Sequence, residues 1–217
     1  MRAVRTAQVR ARVEGVLEKR LFAEGSEVKA GMPLFRIDPR TLQANLASAD
    51  AAVAKAQADA AMAALTVDRL RNLLPAKAVS QQEFDLAEAK RKLAEADVAA
   101  ALAARSRARI DLENSSVPAP ISGRIGRALV TEGALVGRGE ATPLATIDQL
   151  DPIQVDFAQS SADFLRLRNG QKSAASLPVK LVLEDGREYP HAGKLLFQDL
   201  AVDPATGSVG LRAEFPN

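Results

Sequence analysis

The 217-residue sequence has no cysteine, no tryptophan, one tyrosine and one histidine, and aromatic residues make up only 4% of it. Without cysteine there can be no disulfides, thiolate zinc sites or cysteine nucleophiles. His191 has no second histidine or cysteine with which to share a metal, so no metal site is expected there. The net charge is only +2, with Lys and Arg interspersed among Asp and Glu, so the chain carries no electrostatic footprint for nucleic acid. No run of about 18 apolar residues exists to cross a membrane as a helix. The N-terminal MRAVRTAQVRARVEG also lacks the apolar core of a secretory signal. That leaves a cytoplasmic protein, or one whose signal lies outside this sequence. The 47% hydrophobic content is inflated by alanine, which argues against a single large core.

What the sequence does contain is a repeat cut in two. Residues 11–38 align with 119–148 so that Gly15, Glu24, Gly25, Val28 and Gly31 fall on Gly123, Glu132, Gly133, Val136 and Gly139. After a two-residue insertion, Pro33, Leu34, Ile37 and Asp38 fall on Pro143, Leu144, Ile147 and Asp148. Each half shows β alternation punctuated by Glu-Gly and other glycine turns. A half of three or four short strands cannot bury a core alone, so the two are expected to pack on each other. The lack of GxGxxG around Gly137-Arg138-Gly139 makes that segment a turn rather than a phosphate loop.

The intervening stretch is helical. Asp38 is expected as an N-cap with Pro39 at the first helical position. From there Leu42, Leu46, Ala49, Val53, Ala56, Ala60, Ala63, Val67, Leu70 and Leu74 recur at spacings of four and three, a heptad seam. Pro75 ends this helix, and Ser80-Gln81-Gln82-Glu83 has the capping-box pattern that opens a second. Its expected seam is Leu86, Ala89, Leu93, Ala96, Ala100, Ala103 and Ile110. The pair is expected to form an antiparallel hairpin roughly 50 Å long at about 1.5 Å per residue. Alanine seams favour helix but bury little area, so the hairpin reads as a projecting arm and an oligomerisation surface.

Beyond Asp148 the pattern changes. Ile153, Val155 and Phe157 alternate as a strand, and Ser160 to Asp163 opens a short helix that ends at Asn169-Gly170. Further strands are expected at 179–183, 194–197 and 211–215, with turns at Asp185-Gly186 and across Asp203 to Gly207. This is a small antiparallel barrel, expected to lack its final strand.

Two resemblances follow from these residues. The half-repeats resemble the lipoyl/biotinyl carrier fold, in which a tight turn between the halves presents the modified lysine. Here a helical arm stands at that turn, and Lys19 and Lys29 lie inside the first half, so no cofactor is expected. The spacing Arg69-x3-Leu73-x6-Ser80 resembles the hairpin-tip motif of periplasmic adaptors (membrane fusion proteins) of resistance-nodulation-division efflux pumps. The strings PISGRIGRALVTEGALV, LDPIQVDFAQSSADFLRLR and DPATGSVGLRAEFPN resemble that family's lipoyl and barrel segments, so the likeness covers nearly the whole chain.

The resemblance implies an α+β multidomain protein: a split lipoyl-like β-sandwich (1–38 plus 117–148), an inserted antiparallel coiled-coil hairpin (39–116) and a β-barrel domain (149–217). It implies a non-enzymatic periplasmic subunit linking an inner-membrane proton-driven drug transporter to an outer-membrane channel, hexameric in the pump. Arg69 and Ser80 would make polar contacts with the channel and Leu73 would pack between helices. The family's signal, lipidation cysteine and membrane-proximal domain are not in this sequence, which suggests a core of a longer, inner-membrane-anchored protein. Service to an ATP-driven or other exporter, or a lipoyl/biotinyl carrier role, are the alternatives. Without the resemblance, Ser80 is simply an N-cap, Leu73 seam closure and Arg69 a solvated charge.

Overall fold

In the computed structural model the described residues are 2–137, 142–160, 178–183, 186–203 and 207–217, with the side chains of 178 and 197–203 excepted. The expected helix after Ser160 and the centre of the turn before Gly207 lie outside them. Four strands, β1 (Arg2–Arg10), β2 (Gly15–Arg20), β3 (Glu27–Val28) and β4 (Pro33–Ile37), precede the helices α1 (Arg40–Leu73) and α2 (Gln81–Glu113). The strands β5 (Ser116–Pro118), β6 (Gly123–Ile125), β7 (Leu135–Val136) and β8 (Pro143–Ser160) follow. The chain ends with β9 (Pro178–Val179), β10 (Gly193–Asp203) and β11 (Ser208–Phe215).

The two half-repeats exchange strands. β2 of the first half pairs with β7 of the second through Gly15 and Val136, and β3 pairs with β6 through the equivalent residues Val28 and Gly123. The turns repeat the exchange. Gly25 N donates to Ile125 O at 2.9 Å, and the corresponding Gly133 N donates to Leu17 O at 2.8 Å. The repeated glutamates do the same with their side chains: Glu24 accepts the N–H of Ala128 and Glu132 accepts the N–H of Arg20, both at 2.9 Å. Every one of these bonds has a partner related by the same internal twofold, so each half completes the other.

Repeated positions also fill one core. Val9 and Val117, Ala11 and Ala119, Leu17 and Ile125, Val28 and Val136, Leu34 and Leu144, and Ile37 and Ile147 are all buried together. Fully burying an aliphatic side chain of this size contributes about 1.5–3 kcal/mol. Phe22 and Phe35 meet edge to face at 5.1 Å in the same core. Both copies of this glycine are crowded: at Gly123 the φ is +155° and a Cβ would lie 2.5 Å from the Asp148 carbonyl oxygen, and at Gly15 a Cβ would lie 2.6 Å from Ile37 Cγ2.

The arm leaves and re-enters on neighbouring strands, because β4 pairs with β5 and Ile37 N donates to Ser115 O at 2.8 Å. Assigned by backbone geometry, the cap residue is Pro39 and α1 begins at Arg40, one residue later than expected. The chemistry is still that of Asp38, whose Oδ1 accepts the Arg40 N–H at 3.0 Å. All ten seam positions expected on α1 are turned away from solvent, with Val53 and Val67 fully packed.

On α2 the expected seam is corrected. Leu86, Ala89, Leu93, Ala96, Ala100, Ala103 and Ile110 are all exposed, Leu93 by 65%. The inward frame runs through Phe84, Ala87, Arg91, Ala94, Val98, Ala101, Ala108 and Leu112. Both frames have heptad spacing, so periodicity alone does not choose between them. The choice is made by the tight connection at the tip, which sets the rotation of α2, and by small side chains such as Ala87 that let the helices approach. Arg91, half-buried in this frame, is neutralised by Glu88 and Glu95 on its own helix, and its aliphatic stem can lie along the seam. Asp50 and Arg105 form an ion pair from α1 to α2.

From the sandwich the chain continues along β8, which pairs with β1 and β6 and then with β11. β10 adds to β11, and β9 to β10, completing a sheet in the order β3-β6-β8-β11-β10-β9. Leu195, Val209 and Leu211 are buried in a second core there, with Phe157 and Val179 packed against it. The expected turn at Gly186 is present, with φ +80° and its N–H on Leu183 O. His191 lies edge-on to Tyr189 at 5.8 Å.

Candidate functional site at the tip of the arm

The tip is built by the end of α1, a seven-residue connection and the start of α2. Helix α1 stops because Pro75 has no N–H to continue the ladder. Leu74 N still reaches Leu70 O at 3.0 Å, and Lys77 N turns back to Leu74 O at 3.0 Å. Lys77 has φ +54°, the only non-glycine residue in the left-handed region among the described residues. Glycine is the usual occupant of this position after a helix, and an L-residue with a Cβ is held there at a cost of about 1 kcal/mol.

Helix α2 opens with a reciprocal capping box. Ser80 Oγ accepts the Glu83 N–H at 3.2 Å, and Glu83 Oε2 accepts both the Ser80 N–H at 2.9 Å and the Ser80 hydroxyl at 3.1 Å. The Ser80 backbone bond, followed by the hydroxyl bond, holds the Glu83 carboxyl below its usual pKa. The Ser80 hydroxyl hydrogen is therefore committed within the arm, leaving one oxygen lone pair to accept from outside.

Arg69 and Leu73 are four residues apart, which puts them on one face of the last turns of α1. Leu73 is 39% exposed and lies off the seam occupied by Leu70 and Leu74. Arg69 is exposed and has no hydrogen bond or ion pair among the described residues, whereas its neighbour Arg71 pairs with Asp68 at 3.1 Å. The tip thus offers guanidinium donors, an apolar side chain and a hydroxyl acceptor. Lys77 was not singled out by sequence; the only available sign was a lysine following Pro75-Ala76.

Among the described residues no cluster of three His, Asp or Glu could hold a metal, and no helix is long and apolar enough to cross a membrane. Open clefts lie on the sandwich and where it meets the base of the arm. One of about 660 Å³ runs between β1 and β5, lined by Val9, Arg10, Arg12, Asn114 and Val117.

Residues 5–148 match the family model described as "RND MFP, barrel-sandwich hybrid domain", and residues 152–217 match "RND MFPs, beta-barrel domain". The chain belongs to the RND membrane fusion proteins. Within this family it is 52% identical over 221 residues to the multidrug export protein AcrE of Escherichia coli K12, covering 99% of this chain and 57% of AcrE. It is 48% identical over 222 residues to the antibiotic efflux pump periplasmic linker protein ArpA of Pseudomonas putida, covering 99% of this chain and 56% of that protein. The chain therefore spans somewhat over half the length of these relatives. A similar fold is seen in the crystal structure of a MacA-MexA chimeric protein containing the Pseudomonas aeruginosa MexA α-hairpin domain. Its TM-score is 0.63 at 25% identity, covering all of this chain and 70% of that one.

Proposed function

We propose that this membrane fusion protein is a periplasmic adaptor of a multidrug efflux pump, joining an inner-membrane resistance-nodulation-division transporter to an outer-membrane channel. The observation that carries the reading is the arm. It is a helical hairpin inserted at the pseudo-twofold of the sandwich, where a carrier domain would place its lysine, and its tip presents Arg69, Leu73 and Ser80. The relatives support it, since AcrE is named for multidrug export and ArpA as a periplasmic linker of an efflux pump. We take the units to be 1–38 with 117–148, 39–116 and 149–217.

The work done is mechanical and has no bond-making step: the chain holds partners at a fixed distance and seals the path between them. Arg69 donates to carbonyl oxygens at the end of the channel, Leu73 packs between its helices, and the free lone pair of Ser80 accepts a partner N–H. Each protomer binds modestly, and about six in a ring supply avidity. The outward Leu86, Leu93 and Ile110 stripe on α2 gives neighbouring arms a surface on which to pack. In the full-length protein an inner-membrane anchor would hold the ring at the transporter.

The test places single cysteines beside Arg69 and Ser80 of the full-length protein in cells and cross-links them to the channel's periplasmic end. Cross-linking that tracks drug export is expected. Cells that export normally with no cross-link from either position would disprove the tip contact.

A further inference from the structure

Between Asp68 and Glu83 the sequence carries Arg69, Arg71 and Lys77 and no carboxylate. Of the nearest acids, Asp68 is paired with Arg71, whereas Glu83 is held by the backbone and hydroxyl of Ser80 and Asp85 by the Gln81 amide, neutral donors that leave both carboxylates charged. Arg71 is thereby neutralised, which leaves Arg69 and Lys77 exposed and unpaired among the described residues. The end of the arm therefore shows two cations without a counter-ion, and the carboxylates nearest them on α2 are engaged by neutral donors of their own helix. Lys77 adds a second peculiarity, because it holds the left-handed conformation that glycine would fill without strain. Backbone strain of this kind, retained at an exposed loop, points to the side chain as the reason for the residue.

We infer that Lys77 is a further partner-contact residue, and that with Arg69 it makes the tip a two-cation docking end for a channel whose facing loops carry carboxylates. This rests on the adaptor reading above and specifies which partner surface it fits. Lysine supplies a compact, mobile point charge beside the planar donors of Arg69, so the pair can meet an acidic side chain and a carbonyl together. Such rim charges act mainly on selectivity and association rate.

The experiment measures binding of the full-length protein to the purified outer-membrane channel of the same cell, at low and high salt, for wild type, Lys77→Gly, Lys77→Glu, Arg69→Ala and Lys90→Glu. Lys77→Gly relieves the strained conformation and should raise the melting temperature while weakening binding about threefold, a combination that a purely structural lysine does not produce. Lys77→Glu should weaken binding about tenfold, with the loss shrinking at high salt. Lys90→Glu, two turns up α2, should bind as wild type. The inference is overturned if both Lys77 variants bind as wild type while Arg69→Ala is impaired, or if Lys90→Glu loses as much as Lys77→Glu; the adaptor reading survives either result. If the channel does not bind wild type, or binds Arg69→Ala and both Lys77 variants as tightly as wild type, the tip assignment itself falls with it.

Discussion

Replacing Val67 by alanine, and separately Leu93 by alanine, distinguishes the two frames of α2 by measurement. Val67 is 0% exposed on α1, and its two lost methyl groups are worth about 1.6 kcal/mol at 0.8 kcal/mol each. Alanine returns about 0.5 kcal/mol of helix propensity relative to valine, so the net cost is about 1 kcal/mol, plus any cavity that fails to collapse. Leu93 is already 65% exposed, and truncating it should change the stability of the isolated chain by less than about 0.5 kcal/mol. The arm is one part of a larger molecule, so the suitable assay is amide hydrogen exchange within α1 and α2, read at concentrations where arms do not associate. Val67→Ala should speed exchange of seam amides about fivefold, the factor that 1 kcal/mol implies, and Leu93→Ala should leave them unchanged. A Leu93→Ala arm that opens as readily as Val67→Ala would mean that the leucine frame faces inward and that the helix packing described here is wrong.

Two further outcomes follow from the base of the arm and the sandwich. Removing either crossed glutamate bond, by Glu24→Ala or Glu132→Ala, should cost about 0.5–1.5 kcal/mol in urea unfolding, with Glu24→Ala slightly costlier because it also loses the exposed Arg20 ion pair that Glu132 lacks; a gap well beyond the ~0.5 kcal/mol of such a pair would show that the exchange is not symmetric in energy. The hydrogen bonds that Arg40 donates through its side chain and backbone hold the Asp38 carboxyl at a pKa of about 2, below the ordinary 3.8. A lowered pKa favours the ionised form in the folded chain, so this stabilisation is complete above about pH 3.8 and is lost as pH falls through about 2. Carboxyl carbon NMR of Asp38 should show the low midpoint, and Asp38→Asn should fray the first turn of α1 without that pH dependence.

Much of the architecture was legible because the repeat places equivalent residues in equivalent environments. Leu17 and Ile125, or Leu34 and Leu144, could be assigned to one core before any coordinates. The α1 seam was legible for a different reason: only one of its faces carries the heptad. On α2 two faces do, and hydrophobicity favours the leucine frame, while the folded arm buries the one with alanine, valine and a paired arginine. That outcome depends on helix separation and connection geometry, which have no period. Ser80 was legible as a cap because S-x-x-E is a local pattern. The left-handed Lys77 was not, since a residue that defies the usual glycine leaves no local signature.

The single strand β8 sets how the outer parts of the molecule can move. Its 18 residues run unbroken from the sandwich into the sheet with β11, and β1 accompanies it across the junction from Arg10 to Arg2. Between β6, which ends its pairing at Asp148, and β11, which begins at Ile153, the junction is therefore a two-stranded ribbon, with a register shift where residues 150–152 of β8 stand opposite Val4 alone. A ribbon resists bending in its plane but twists readily. Rotation of one end relative to the other is thus carried as torsion along the strands, like load in a drive shaft, and the bulge is the point at which that shaft yields.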